Sequence, residues 1–373
     1  MLTLTFIIHL ALWVLGFVFL FRIPYCTSVR SKIAHYPRIS VIIPARNEET
    51  TLPNLLASLK RQTLPPDEVV VIDDQSEDRT KEIAEREGTV VVESKPLPKG
   101  WIGKAWACSQ GAKVATGDVF IFLDADTILE EGGLKSITDT YIQRDGVISI
   151  QPYHRIQKLY EQFSAFFNIV VMGAMQTFTI LGDMIKPIGL FGPAIVLKKQ
   201  YYLESGGHEK VKGKLLEDLA FATQFKEKNI GTYCYGGKNT ISFRMYPNGI
   251  MELINGWSKG FALGATKTSI PMLIIIIAWI VGAMGTTRHL AQTIPSADTV
   301  SIVLWAFLYV CYVLQIYWML FRIGNFKFYT ALFYPIPLLF FIIVFAYSFT
   351  LIFLRKSVKW KARTIDVKGR ISK

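Results

Sequence analysis

Long apolar runs at both ends of the chain constrain its fold more than any other feature. Residues 4–21 form one uncharged run, and three more follow at about 270–287, 299–321 and 330–353. Each is long enough to cross roughly 30 Å of hydrocarbon. The polar and turn-forming residues collect between residues 38 and 265. The sequence therefore predicts a polar domain between membrane segments.

Four parts follow from this pattern. We predict a transmembrane anchor at 1–30, a catalytic domain at 31–265, transmembrane segments at 266–354 and a basic tail at 355–373. The first run lacks the basic start and small-residue cleavage site of a signal peptide. Basic residues follow the run, so its C-terminal end is expected inside the cell.

The formal net charge of +12 limits the partners of the chain. Nucleic acid is one partner that such a charge allows. Much of the excess lies in the tail beside an apolar run, however, where anionic lipid headgroups are the better match. We therefore expect a multi-pass protein of the cell membrane with its polar domain on the cytoplasmic side, and no nucleic-acid partner.

The topology has one internal conflict. One anchor plus three spans would place the basic tail outside, whereas the positive-inside rule places it inside. An interfacial or re-entrant run would resolve the conflict, and the sequence leaves this open. Residues 160–181 are a further candidate for an amphipathic segment that lies on the surface.

Strands and helices alternate through the polar region. Strand patterns occupy 38–44, 68–72, 89–92 and 119–123, and helical patterns occupy 47–61, 80–88 and 108–115. This alternation predicts an α/β domain with a Rossmann-like, mostly parallel sheet. Such sheets bind ligands at the carboxyl ends of their strands.

Asp124-Ala125-Asp126 is the first candidate site. The two acids directly follow the apolar strand predicted at 119–123. Carboxylate oxygens suit Mg²⁺ or Mn²⁺, and a diphosphate would complete the coordination. The alternative is a polar turn that happens to hold two acids.

Three other sets of residues are candidates. Asp73-Asp74 follows a predicted strand, either to bind a base or ribose hydroxyl or to cap the next helix. Glu217-Asp218 begins a predicted helix. The pair either includes a general base or supplies negative charges that stabilise the N-terminus of the helix. Lys99, Trp101 and Lys104 lie in a glycine-containing loop, and we expect an exposed tryptophan beside a diphosphate or a sugar.

Six motifs, in order, resemble those of the family 2 glycosyltransferases of the GT-A fold. They are VIIPARNE at 41–48, VIDDQSED at 71–78, GKAWACSQG at 103–111, FLDAD at 122–126, ESGGH at 204–208 and LLEDLAF at 215–221. The resemblance implies an enzyme that transfers a sugar from a nucleotide sugar and uses Mg²⁺ or Mn²⁺.

The resemblance also implies roles for individual residues. Ala45, Glu48 and Asp74 would contact the uridine, Lys104 would lie near the nucleotide, Asp124 and Asp126 would form the DxD motif with Asp126 on the metal, and Asp218 would be the catalytic base. Glu217, Trp257 and Lys259 complete the set expected to bind the nucleotide sugar.

One motif departs from the family's lipid and polysaccharide synthases. Those enzymes often carry Q/R-x-x-R-W, whereas residues 255–259 here read NGWSK. Only Trp257 is kept, and Lys259 is a candidate for the missing positive charge. The departure favours transfer of a single sugar over polymer synthesis.

Five stretches are similar to the carotenoid-acid glycosyltransferases. They are SIQPYH at 149–154, YEQFSAFFN at 160–168, FGPAIVL at 191–197, FRMYPNG at 243–249 and GWSKG at 256–260. This resemblance implies inverting transfer from a UDP-sugar, with glucose suggested, to the carboxylate of a C30 carotenoid acid. Another lipid hydroxyl, on a hopanoid, ceramide or diacylglycerol, is the nearer alternative. A non-enzymatic membrane scaffold is the remote one.

Overall fold

The chain divides into two compact units of different composition. The computed structural model describes residues 2–28, 35–214, 217–259, 261–296, 298–351, 357–360, 363–366 and 371–372. The apolar unit contains 1–23, 155–186 and 246–354, and the α/β unit contains 24–154, 187–245 and 355–373. The domain boundaries predicted from the sequence, such as 31–265, run continuously along the chain and stay a prediction.

The helices and strands alternate through the middle of the chain. The helices are α1 (Leu2–Phe19), α2 (Leu52–Lys60), α3 (Thr80–Arg86), α4 (Gly103–Val114), α5 (Gly133–Arg144), α6 (Ala165–Ala174), α7 (Lys199–Glu204), α8 (Glu217–Glu227), α9 (Ile250–Ser258), α10 (Phe261–Ala265), α11 (Ile270–Thr293), α12 (Thr299–Ile323), α13 (Phe328–Leu332) and α14 (Pro335–Phe349). The strands are β1 (Ile39–Ala45), β2 (Glu68–Asp73), β3 (Val90–Glu93), β4 (Val119–Leu123), β5 (Thr127–Leu129), β6 (Val147–Gln151), β7 (Tyr153–His154), β8 (Ala194–Lys198), β9 (Thr232–Gly236), β10 (Ile241–Phe243), β11 (Ser357–Trp360), β12 (Arg363–Asp366) and β13 (Ile371–Ser372).

A seven-stranded sheet forms the centre of the α/β unit, in the order β3-β2-β1-β4-β8-β6-β9. Strand β1 pairs in parallel with both β2 and β4, and β6 pairs in parallel with β9. Only β8 runs antiparallel to its neighbours β4 and β6. The predicted α/β fold with a mostly parallel sheet is therefore confirmed.

Both faces of this sheet are buried. Successive side chains of a strand point to opposite faces, so each strand contributes to two core clusters. On β1, Val41 and Ile43 belong to one core cluster, whereas Ile42 belongs to the other. On β4, Ile121 and Phe122 divide in the same way. Burial on both faces explains why the strands are continuous apolar runs rather than alternating ones.

Helix α4 begins five residues earlier than the sequence pattern predicts. The pattern indicated a helix at 108–115, whereas the helix begins at Gly103. Ile102 at the N-cap makes no side-chain hydrogen bond, so the usual N-terminal signal of a helix is absent. The earlier start places Lys104 in the first turn of the helix.

The apolar unit contains two helices that are long and apolar enough to cross a membrane. They cover Ile270–Ser296 and Thr299–Ile323, and two shorter apolar helices cover Thr3–Phe19 and Pro335–Phe349. The run predicted at 330–353 is divided between α13 and α14. The predicted anchor and third C-terminal span therefore correspond to the shorter helices.

The surface-lying segment predicted at 160–181 is wrong over most of its length. Residues 165–174 form α6, and Phe166, Phe167 and Ile169 on this helix are completely buried. Apolar packing inside the unit explains the run better than contact with a lipid surface. Exposed apolar side chains begin only at Ile180.

One buried amide links three helices of the apolar unit. The Gln315 Oε1 atom of α12 accepts a hydrogen bond from Trp279 Nε1 of α11 at 2.8 Å, and its Nε2 atom donates to the Trp13 carbonyl of α1 at 2.9 Å. A Cβ atom on Gly16 would lie 2.5 Å from Gln315 Oε1, so a larger residue at this position would displace the amide.

We expect Gln315→Leu to lower the free energy of unfolding by about 1–2 kcal/mol, because it leaves the buried Trp279 indole N–H without an acceptor. Thermal unfolding in detergent measures the change. Leu314→Ala is the control, since Leu314 lies on the same helix and is 57% exposed. Equal midpoints for the two variants would contradict the proposed link.

Candidate active site

The ends of three neighbouring strands bring several predicted residues to one edge of the sheet. Strands β1, β2 and β4 are parallel and end at Ala45, Asp73 and Leu123. The Asp74 N–H donates to the Ala45 carbonyl at 2.8 Å, and Arg46 Nη1 lies 3.7 Å from Asp74 Oδ2. Ala45 and Asp74 therefore lie together, as predicted for residues that share a ligand.

Glu48 is held on the same side of the unit by the turn that follows β1. Its N–H donates to Thr80 Oγ1 at 2.8 Å, which ties the turn to the start of α3. Its Oε2 atom accepts a hydrogen bond from Thr51 Oγ1 at 2.5 Å. The charge of Glu48 also acts on Asp126.

Lys104 and Asp124 form the central ion pair of the site. Lys104 Nζ lies 2.6 Å from Asp124 Oδ1, and the two side chains are 25% and 28% exposed. Burial acts to lower the pKa of Lys104, but the carboxylates of Asp124, Asp218 and Glu217 outweigh burial and hold this pKa above its usual range. One ammonium group thus faces three carboxylates.

Asp126 lies in an environment that disfavours its ionised form. Burial raises its pKa most, and the charges of Asp124 and Glu48 raise it further, against a smaller opposite effect of Lys104. Asp124 and Glu48 therefore each repel the ionised form of Asp126. An added cation would relieve this repulsion.

Glu217 and Asp218 occupy the first turn of α8. Burial raises the pKa of each, and Asp124 adds to the effect while Lys104 opposes it. Acids predicted from two separate motifs, Asp124 from FLDAD and Glu217-Asp218 from LLEDLAF, thereby interact electrostatically. The structure brings the DxD acids and the Glu217-Asp218 pair into one cluster.

Gly192 is part of this cluster, although the sequence analysis gave it no role. A Cβ atom at this position would lie 2.3 Å from Asp218 Oδ2. The Gly192 carbonyl also accepts a hydrogen bond from Lys104 Nζ at 3.2 Å. The FGPA motif marked this stretch, but the motif carries no information about contact with Asp218.

The acids at the end of β4 have the chemistry of a divalent-cation site. No group of three or more His, Cys, Asp or Glu side chains placed to hold a metal occurs in the described part of the chain. Asp124 and Asp126 alone would offer two carboxylates, and Mg²⁺ characteristically uses one or two carboxylates plus substrate phosphates. The residues therefore fit Mg²⁺ or Mn²⁺ held jointly with a diphosphate.

Trp257 and Lys259 lie in the apolar unit rather than the α/β unit. The Trp257 ring stacks on Phe167 with centroids 4.8 Å apart, and its Nε1 atom donates to Ser164 Oγ at 3.1 Å. One face and the N–H of this indole are thus used in packing. A nucleotide-sugar contact for Trp257 and Lys259 stays a prediction.

The expectation of an exposed Trp101 is wrong. The Trp101 side chain is only 5% exposed. Its ring centroid lies 5.0 Å from that of Trp106, and Lys212 Nζ lies 5.9 Å from the Trp101 ring centroid. The glycine-containing loop folds its tryptophan inward because Trp106 and Lys212 cover it. The sugar-facing role expected for Trp101 therefore has no exposed ring to support it.

Two similar proteins from staphylococci carry the same name. The chain is 37% identical over 335 residues to 4,4'-diaponeurosporenoate glycosyltransferase of Staphylococcus haemolyticus, covering 88% of this chain and 89% of that protein. It is 31% identical over 337 residues to the Staphylococcus aureus (strain USA300) protein of the same name, covering 89% of each.

A solved structure and a family model agree with this similarity. The mannosyltransferase PcManGT from Pyrobaculum calidifontis, in complex with GDP-Man and Mn²⁺, aligns with a TM-score of 0.55 at 17% identity over 93% of this chain and 94% of its own. The model of Glycosyl transferase family 2 matches residues 40–242, more than half of the chain. The chain is therefore a glycosyltransferase of family 2, with a GT-A-like α/β fold.

Proposed function

We propose that this glycosyltransferase transfers glucose from UDP-glucose to the carboxylate of a C30 carotenoid acid such as 4,4'-diaponeurosporenoate. A carboxylate oxygen attacks the anomeric carbon with inversion, the bond from that carbon to the diphosphate breaks, and UDP leaves. The observation that carries the proposal is the name shared by relatives that are 31–37% identical over about nine-tenths of the chain.

The donor occupies the edge of the sheet in this proposal. Three residues bind the uridine: Ala45, Glu48 and Asp74. They lie at or just after the ends of the first two parallel strands, and they offer backbone and carboxylate acceptors for a base and a ribose. Lys104 lies near the diphosphate, with Asp124 opposite. Glu217 completes the proposed donor-binding set of the α/β unit, and a role of Trp257 and Lys259 in donor binding stays a prediction.

Asp126 and Asp124 hold Mg²⁺ or Mn²⁺ in this proposal. The mutual repulsion of these acids and the Mn²⁺ bound in the mannosyltransferase PcManGT support the assignment. When bound, the metal stabilises negative charge on the departing diphosphate. Lys104 contributes a second positive charge at the same place, since its ammonium is fixed between Asp124 and the Gly192 carbonyl.

Asp218 is the proposed catalytic base, and its importance depends on the acceptor. A buried carboxylate with a raised pKa is a better proton acceptor than an exposed one. A carboxylic acid acceptor, however, is already ionised at neutral pH because carboxyl pKa values lie near 4. A lipid hydroxyl would need its proton removed.

The acceptor also explains the apolar unit. A polyene with thirty carbons stays in the bilayer, so an enzyme that uses it must work at a membrane. The helices at Ile270–Ser296 and Thr299–Ile323 support this location. We propose a multi-pass protein of the cell membrane with its α/β unit in the cytoplasm, where nucleotide sugars are made, and a tail at 355–373 that binds anionic lipids.

Asp218→Asn separates the two classes of acceptor. We expect it to slow transfer to a lipid hydroxyl, on diacylglycerol or ceramide, by about 10²–10⁴-fold, the usual contribution of a general base. The loss in the rate of transfer to the carotenoid acid should be at least about tenfold smaller than the loss with the lipid hydroxyl. Initial rates from labelled UDP-glucose measure both. Equal losses with both acceptors, in a variant that folds and binds UDP normally, would refute the role of Asp218.

Gly192→Ala tests the position of Asp218 rather than its charge. The added methyl group would overlap the Asp218 carboxylate, so we expect kcat with a lipid hydroxyl acceptor to fall about 10²-fold, as displacements of about 1 Å often cause. With the carotenoid acid, which is already ionised, kcat should fall less. Gly264→Ala is the matched control, because a Cβ atom there meets nothing within 4 Å. Similar kcat values for the two variants, with unchanged thermal midpoints, would show that Gly192 does not position the base.

A further inference from the structure

Two lysine-rich segments of the α/β unit, residues 95–104 and 207–214, pack against each other. Lys212 Nζ lies 5.9 Å from the Trp101 ring centroid. A Cβ atom on Gly213 would lie 3.0 Å from the Gly100 carbonyl oxygen. The contacts bring lysines distant in sequence onto one surface.

Five lysines on this surface are exposed and make no ion pair in the described structure. We call them the lysine lip: Lys95, Lys99, Lys210, Lys212 and Lys214. The one acid in these two segments, Glu209, pairs instead with Lys113 at 3.6 Å. The lip thus carries a concentrated positive charge that the fold itself does not neutralise.

The lip borders the catalytic cluster. Lys214 is three residues before Glu217, so their Cα atoms lie within about 11 Å of each other. Lys99 is five residues before Lys104 on the other segment. On the segment 207–214, His208 is buried, and burial and then the charge of Lys104 lower its pKa to about 3. The segment that carries three lip lysines is thus in electrostatic contact with the active site.

A carboxylate acceptor meets an electrostatic obstacle at this site. Five carboxylates at this site interact electrostatically with Lys104 or with one another. They belong to Glu48, Asp124, Asp126, Glu217 and Asp218, and Lys104 carries the one positive charge among these six residues. A divalent cation with two positive charges is offset by the diphosphate of the donor. An anionic acceptor would therefore be repelled unless cations at the entrance attract it.

We propose that the lysine lip binds the carboxylate of the acceptor and selects acidic lipids over neutral ones. This inference rests on the proposed function. The lip lysines are exposed, and the long lysine side chain suits a charged headgroup that must approach and leave. Lys104, in contrast, is fixed in its ion pair with Asp124 and belongs to the donor side.

The test compares the carotenoid acid with its methyl ester, which has the same polyene but no charge. Binding to the full-length enzyme in a neutral detergent is followed by the quenching of tryptophan fluorescence by the polyene. We expect Lys212→Gln/Lys214→Gln to weaken binding of the acid about tenfold, since each lysine near a charged surface contributes up to about fivefold. Binding of the ester and of UDP should change less than about twofold.

Two matched variants control for charge and structure. Lys226→Gln/Lys228→Gln removes two exposed lysines at the far end of α8 and should leave binding of the acid unchanged. Lys212→Arg/Lys214→Arg should restore it. Equal weakening of acid and ester, or weaker binding of UDP, would overturn the inference. So would an effect that appears only after anionic phospholipid is added, because the lysines would then bind headgroups.

Binding and turnover distinguish the two levels of the proposal. If the wild-type enzyme binds the acid more tightly than the ester but transfers no sugar to it, the proposed function fails while the lysine lip stands. If it glucosylates the acid and the lip variant binds acid and ester as the wild type does, the lip fails while the proposed function stands.

Discussion

The ion pair between Lys104 and Asp124 is the interaction on which the rest of the site depends. It joins the first turn of α4 to the end of β4 across 2.6 Å, and the same ammonium reaches the Gly192 carbonyl. Without it, Asp124 and the Glu217-Asp218 pair, which are partly buried, would lose the ammonium group that opposes their charge. Buried charges are stable only when they are paired.

This arrangement gives the site its chemistry. The cluster has more carboxylates than cations, so it favours a divalent metal and a proton acceptor. It also disfavours an anionic substrate, which the lysine lip would counteract at the border of the cluster. In the proposed function, the same excess of acids links donor binding, metal binding and acceptor selection.

Local patterns predicted the sheet and most of the acids. Strands β1, β2 and β4 are continuous apolar runs buried on both faces, and acids that directly follow such strands must lie at the carboxyl edge. Contacts between distant segments could not be predicted in this way. The fit of Gly192 against Asp218 and the burial of Trp101 under Lys212 depend on how loops pack. The apolar patterns marked the apolar unit, but burial of α6 depended on its packing partners.

The product proposed for this enzyme is a glucosyl ester of a carotenoid acid. Mass spectrometry of lipids from cells that make a C30 carotenoid acid and express this chain tests it most directly. We expect a new product with the mass of the acid plus one hexose, and mild alkaline hydrolysis of this product should release the acid. The product should be absent from cells that express the Asp126→Ala variant. Hexose on an alkali-stable lipid hydroxyl with the carotenoid acid unchanged, or the same ester with Asp126→Ala, would contradict it.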